Sequence, residues 1–94
     1  MKKRTTGTEL AKMLNLSASR GIEAVMKADL IQAIKKVMEK KKITHIELAK
    51  KSGLPRSAVT GILSGSLQKV TIDRVLRLVE AAGLDITVKV SEAA

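Results

Sequence analysis

Three side chains that form directional hydrogen bonds, Arg56, Ser57 and Thr60, share one face of a short predicted helix. The apolar Val59 and Ile62, three residues apart, fall on the opposite face and are expected to point inward. A guanidinium group offers a planar fork of donors, and a hydroxyl both donates and accepts. We therefore expect an outward polar surface along this helix.

Catalytic residues are not indicated elsewhere in the chain. It has one histidine, His45, no cysteine and nine acidic residues, which form no metal-ligand pattern. Because no set of nucleophile, base and orienting group can be proposed, we predict no enzymatic activity, no cofactor and no metal site. Asp29, Glu39 and Glu47 are more simply explained as solvated helix residues.

A capping box predicts the start of a preceding helix. Thr44 can accept the backbone N–H three residues on, and Glu47 can reach back to the N–H of Thr44. Ile43 and Leu48 have the spacing of a hydrophobic staple. Gly53 can take the left-handed conformation that ends a helix.

The second helix follows at once. Pro55 fixes φ at its entry, and Gly65 ends it after about Ser64. Ala49 is small where the two helices must approach each other. Residues 44–64 therefore predict a helix-turn-helix (HTH), a motif that reads DNA, in preference to an ordinary pair of surface helices in a bundle.

Composition supports a polyanionic partner. The 94 residues carry a net charge of +9 and no aromatic side chain. Residues 1–42 carry a net +7, residues 43–65 a net +2, and residues 66–94 are neutral. One side facing nucleic acid and one facing protein would explain this distribution, although lysines that merely solvate helix faces would also produce it. Base stacking on aromatic rings, the usual device of single-strand binders, is excluded.

The residues before the HTH predict a basic arm and two helices. Residues 1–7 are basic and polar, and residues 8–16 have the pattern of a short amphipathic helix. A longer helix is expected from about residue 20 to 41. Its apolar stripe comprises Ile22, Met26, Leu30, Ile34 and Val37, flanked by Val25, Ile31 and Met38.

The residues after the HTH predict a helix and a strand. Thr71 caps a helix that ends at Gly83, with Ile72, Val75, Leu76 and Val79 towards the core. Residues 84–90 alternate apolar and polar, which predicts a strand. A lone strand is unstable, so we expect it to pair with its copy in a second subunit, with a partner protein as the alternative. The strand face comprises Leu84, Ile86, Val88 and Val90.

These elements predict a mainly α fold, an HTH bundle of about five helices with a C-terminal strand that pairs across a dimer. We divide the chain into a basic arm and extension (1–18), a helical DNA-binding domain (19–83) and a dimerisation strand with its tail (84–94).

The chain resembles the phage-repressor (Cro/CI, or XRE) class of HTH domains over about residues 28–83. The core of the likeness is Thr44, Glu47, Leu48, Ala49, Gly53 and Leu54, followed by Val59, Ile62 and Gly65. Residues 70–78 and 83–88 look more specifically like HigA-like and HipB-like antitoxins. The resemblance implies a lambda-repressor-like bundle.

The resemblance also implies roles for individual residues. Base contacts are expected from the start of the second HTH helix, at Arg56, Ser57, Thr60 and Gly61. Phosphate contacts are expected at Thr44, His45, Ser64 and Lys69. Arg56 is the strongest candidate, because its guanidinium can bond O6 and N7 of guanine together, worth about 1–3 kcal/mol of discrimination. His45, where the class usually has glutamine, can donate to phosphate, more strongly when protonated.

Two departures from the class pattern concern specificity. Pro55 replaces the usual serine or threonine, so a capping hydroxyl and a possible DNA contact are lost. Gly61 replaces a residue that is often polar, which narrows the reading surface to two or three side chains.

We therefore expect a cytoplasmic, nucleoid-associated transcriptional repressor that binds a palindromic double-stranded DNA operator as a homodimer. The antitoxin likeness implies autoregulation of an operon and a cognate toxin partner, bound through residues 8–26 or the terminal strand. Residues 8–26 could equally be an extension that completes the core or the dimer interface. The alternatives are a stand-alone regulator, a chiefly toxin-neutralising module, and non-specific binding by charge alone. No membrane partner is expected.

Overall fold

The computed structural model describes residues 18–67 and 70–92, and these residues form four α-helices. They are α1 (Ala18–Lys41), α2 (His45–Ser52), α3 (Arg56–Leu63) and α4 (Ile72–Ala81). The mainly helical prediction is confirmed, but the described residues contain four helices and not five. The short helix predicted at residues 8–16 lies outside them.

Local signals set the helix ends close to where the sequence predicts, but the Glu47 carboxylate meets the Thr44 hydroxyl and not the Thr44 N–H expected of the capping box. The Thr44 hydroxyl accepts the Glu47 N–H at 3.1 Å, and the Glu47 carboxylate accepts from that hydroxyl at 3.4 Å. Gly53 ends α2 with φ 75°, the left-handed conformation that only glycine adopts without strain. The α2–turn–α3 unit is therefore defined by residues next to one another in sequence.

The end of α4 is closed in the same manner. The Leu84 N–H bonds to the Val79 carbonyl at 3.1 Å, and the Gly83 N–H bonds to the Glu80 carbonyl at 3.0 Å. This pair of bonds is a Schellman motif. Leu84 is half-buried against the core.

The core lies where the four helices meet. α1 packs against α4, and α2 packs against both α3 and α4. Leu48, Val59, Val75 and Leu78 are fully buried there. The complete set of buried apolar residues is Ile31, Ile34, Leu48, Leu54, Val59, Ile62, Leu63, Val75, Leu78, Val79 and Ala82.

The predicted apolar stripe of α1 is only partly correct. Ile34 is fully buried, but Ile22 and Met26 are 45% and 46% exposed. At 1.5 Å per residue, the 24-residue α1 is about 36 Å long, whereas the helices packed on it have eight to ten residues. Residues four apart advance by about 40° around a helix axis, so Ile22 lies about 120° from Ile34. Lys27, seven residues before Ile34, lies on the same face as Ile34 and is buried. Leu76 of α4, also predicted inward, is 41% exposed.

The predicted C-terminal strand is not found within the chain. Residues 84–92 have no regular secondary structure, and Val88 and Val90 are 77% and 86% exposed. A strand is stabilised by hydrogen bonds to a neighbouring strand. The described part of this chain supplies no second extended segment with which residues 84–90 could pair.

A buried lysine joins α1 to the segment after α3. The Lys27 ammonium forms an ion pair with Glu23 at 2.8 Å and donates to the Leu67 carbonyl at 3.4 Å. Burying a charge is tolerated when it is paired in this way. The hydrogen bond and the charge of Lys27 lower the pKa of Glu23, an effect that its slight burial opposes.

Candidate nucleic-acid interface

The outward surface of the HTH begins at the N-terminus of α3. Pro55 holds the N-cap position and makes no side-chain hydrogen bond there. The first amides of a helix find no acceptor within it, and the first acceptor of α3, the Pro55 carbonyl, is taken by the Val59 N–H. Arg56 and Ser57 are exposed at this end. Backbone and side-chain donors therefore face solvent together.

At Gly61 the backbone of α3 carries no side chain. A Cβ atom built there would meet nothing within 4 Å, so packing inside the described chain does not require glycine. Its φ is not in the left-handed region either. Glycine within a helix is destabilising by about 0.5–1 kcal/mol relative to alanine. Close approach of an external partner would explain a glycine at this position.

Thr60, predicted to contact a base, is bonded to His45, predicted to contact a phosphate. Nδ1 of His45 lies 3.1 Å from Oγ1 of Thr60. The bond joins the first residue of α2 to the middle of α3. Thr60 is exposed and His45 is half-buried, so the pair lies at the edge of the HTH surface. A residue predicted to contact a base and a residue predicted to contact a phosphate are therefore direct neighbours.

The other hydroxyls predicted to contact phosphate already have partners. The Ser64 hydroxyl donates to the Gly61 carbonyl at 2.8 Å. The Thr44 hydroxyl donates to Glu47 and accepts from its amide. Each has a single proton to donate, so each must break an existing bond before it donates to a phosphate. The fourth predicted residue, Lys69, lies outside the described residues.

Lysines are concentrated where α1 ends, beside the HTH. The exposed residues of segment 35–42 include five lysines and one acid, Glu39. Lys42 has φ 55°, a left-handed conformation that is strained for a residue with a side chain. The Ile43 N–H bonds to the Met38 carbonyl at 2.9 Å across this turn. A lysine thus occupies a position where glycine would be more stable.

A family model described as a helix-turn-helix domain matches residues 14–91, and its match includes all four described helices. The chain belongs to this helix-turn-helix domain family. Domains of this kind bind DNA in regulators and typically have no catalytic role. No curated protein and no solved structure matches the chain.

Two lysines that precede the HTH, Lys35 and Lys42, have positions that the sequence did not indicate. Lys35, exposed on α1, lies beside His45 and Thr60 around one pocket. Position 42 is a lysine and not the glycine or asparagine that usually adopts a left-handed conformation, so the sequence did not indicate one there. Lys35 and Met38 are three residues apart and therefore share one face of α1, but the sequence does not show that α2 and α3 approach this face to form a pocket.

None of the described helices is long and apolar enough to cross a bilayer.

Proposed function

We propose that this protein is a sequence-specific double-stranded DNA-binding transcriptional repressor that inserts α3 into the major groove. The observation that carries the proposal is the exposed start of α3, where Arg56 and Ser57 follow Pro55, an N-cap residue that makes no side-chain hydrogen bond. A guanidinium at this position can bond both acceptors of a guanine edge. The bare backbone at Gly61 allows the helix to approach the groove closely.

Binding to a labelled duplex selected from a random pool tests this function against binding by charge alone. At about 150 mM salt the wild-type protein should prefer the selected duplex over a scrambled one. Arg56→Ala should reduce that preference, whereas Arg74→Ala on the exposed face of α4 should leave it unchanged. Equal affinities of the wild type for both duplexes would leave only non-specific attraction.

A homodimer would suit a palindromic operator, with half-sites about one helical turn apart. Residues 84–90 support this arrangement, because an exposed alternating apolar segment gains backbone hydrogen bonds by pairing with its copy. Sedimentation equilibrium should find a dimer for the wild type. Val88→Lys should shift it to monomer, and Thr87→Lys, on the opposite face, should not. Equal effects of the two variants would contradict pairing through this face.

An antitoxin role is the second candidate. Ile22 and Met26, one helical turn apart on α1, are exposed and could bind a protein partner. The stand-alone regulator is the alternative. A neighbouring gene whose expression arrests growth, with relief by this protein and loss of relief in Met26→Asp, would support the antitoxin. An operator regulated without any such gene would favour the stand-alone regulator.

A further inference from the structure

A pocket of about 280 Å³ opens where α1, α2 and α3 meet. Lys35 lines it from α1, His45 from α2, and Thr60 and Ser64 from α3. Met38 and Leu63 supply its apolar wall. The pocket is therefore built from both HTH helices, α2 and α3, together with α1.

Most of the pocket's lining is apolar, and its one charged side chain, Lys35, is cationic, which suits an anion. None of its lining residues carries a carboxylate. Lys35 forms no ion pair with any other described residue, so none of these competes with an anion in the pocket for its ammonium. Because the Ser64 proton goes to the Gly61 carbonyl, the donors left for a ligand are those of Lys35, His45 and, where its proton is not used by His45, Thr60. A group with several negatively charged oxygens suits this arrangement.

The hydrogen bond between His45 and Thr60 orients the imidazole ring. When the Thr60 hydroxyl donates to Nδ1, the ring proton is held on Nε2. The imidazole then presents an N–H away from Thr60. A threonine that orients a neighbouring ring in this way is not free to read a base at the same time with its only proton.

We propose that a backbone phosphate of DNA binds in this pocket through Lys35 and His45, and that Thr60 positions the His45 ring. The proposal rests on the DNA-binding function and refines its contacts. Thr60 moves from the base-reading set to the phosphate site, Lys35 joins that site, and Ser64 leaves it. Base reading then depends on Arg56 and Ser57.

The role of Lys35 is tested by the salt dependence of binding to a non-specific duplex. Neutralising one phosphate contributes about −0.9 to the slope of log K against log salt. Lys35→Gln should therefore reduce the slope by about 1. Lys36→Gln, an exposed neighbour that does not line the pocket, is the matched control and should change the slope less. Equal effects of the two variants would overturn the proposal.

The role of Thr60 is tested by comparing the selected and scrambled duplexes. Thr60→Val should weaken binding to both by the same factor, and Thr60→Ser should restore it. A change in the ratio of the two affinities would make Thr60 a base reader and contradict its positioning role. Whichever result Thr60→Val gives, Arg56→Ala still tests whether the protein prefers the selected duplex. Failure of the Thr60 role can therefore be distinguished from failure of the proposed DNA-binding function.

A chemical probe can locate the phosphate itself. Single neutral methylphosphonates are placed one at a time along the selected duplex. At one position the substitution should weaken wild-type binding, and Lys35→Gln should add no further loss there. If the losses from Lys35→Gln and from the methylphosphonate are additive at every position, no phosphate occupies the pocket.

Discussion

The carbonyl oxygen of Gly61 accepts a hydrogen bond from the Ser64 hydroxyl at 2.8 Å, which links the middle of α3 to its C-terminal cap. The bond uses only the backbone of the glycine. Nothing in the described chain occupies the space that a side chain at position 61 would fill. The proposed DNA-binding surface thus contains a residue that is unfavourable for the stability of its own helix.

Gly61→Ala should therefore stabilise the fold and weaken DNA binding. We expect a gain of about 0.5–1 kcal/mol in the free energy of unfolding, because alanine has the higher helix propensity. Affinity for the selected duplex should fall, because the added methyl group prevents close approach. Urea unfolding followed by circular dichroism and duplex titration measure the two effects.

Gly53→Ala is the matched control for that substitution. Its Cβ would also meet nothing within 4 Å, but φ is +75°. The substitution should cost about 1–2 kcal/mol of stability through backbone strain alone. A gain in stability from both variants would show that backbone conformation does not separate the two glycines.

Lys42→Gly should also separate stability from binding. Relief of the left-handed strain at φ 55° should stabilise the fold by about 1 kcal/mol. Loss of one positive charge near the HTH should weaken binding to any duplex and reduce its salt dependence. Lys50→Gly, within α2, should instead lower stability, so thermal unfolding of both variants tests the assignment.

Acid should weaken the fold partly through Glu23. Lys27 lowers the pKa of this carboxyl in the folded state, so the folded protein binds fewer protons than the unfolded chain. The contribution of Glu23 is present above its unfolded pKa and is lost as the pH falls through the lowered folded value. Unfolding measured across that range should be less pH-dependent in Glu23→Gln. An unchanged pH profile would mean that the ion pair does not persist in solution.

Two leucines of α4 should respond differently to truncation. Leu78 is fully buried, whereas Leu76 is 41% exposed. Leu78→Ala should cost about 2–5 kcal/mol, because it removes buried surface and leaves a cavity. Leu76→Ala should cost much less in the isolated chain. Denaturant midpoints compare them, and similar losses would indicate that Leu76 is buried in an assembly.

The parts of the fold that depend on neighbouring residues could be predicted from sequence. The Thr44 cap, the left-handed Gly53 and the Leu84 bond to Val79 each follow from a few adjacent residues. The same is true of the predicted helix positions around the HTH.

The features that were missed depend on distant contacts. Ile22 lies about 120° around α1 from Ile34 at 3.6 residues per turn, and only the packed neighbours show which sector of the helix is buried. The place of Lys35 beside His45 depends on the approach of three helices. The predicted pairing of residues 84–90 requires a second chain, so a single chain does not test it.

The hydrogen bond from Lys27 to Leu67 has a consequence for how the sequence of this protein could diverge in evolution. One ammonium couples the middle of α1 to Leu67, forty positions later, just beyond the exit of α3. Substitutions near Lys27 could therefore tilt α3, the helix proposed to read DNA, without altering any side chain proposed to touch a base. Relatives with identical residues at 56–61 could then favour operators with different spacing between their halves.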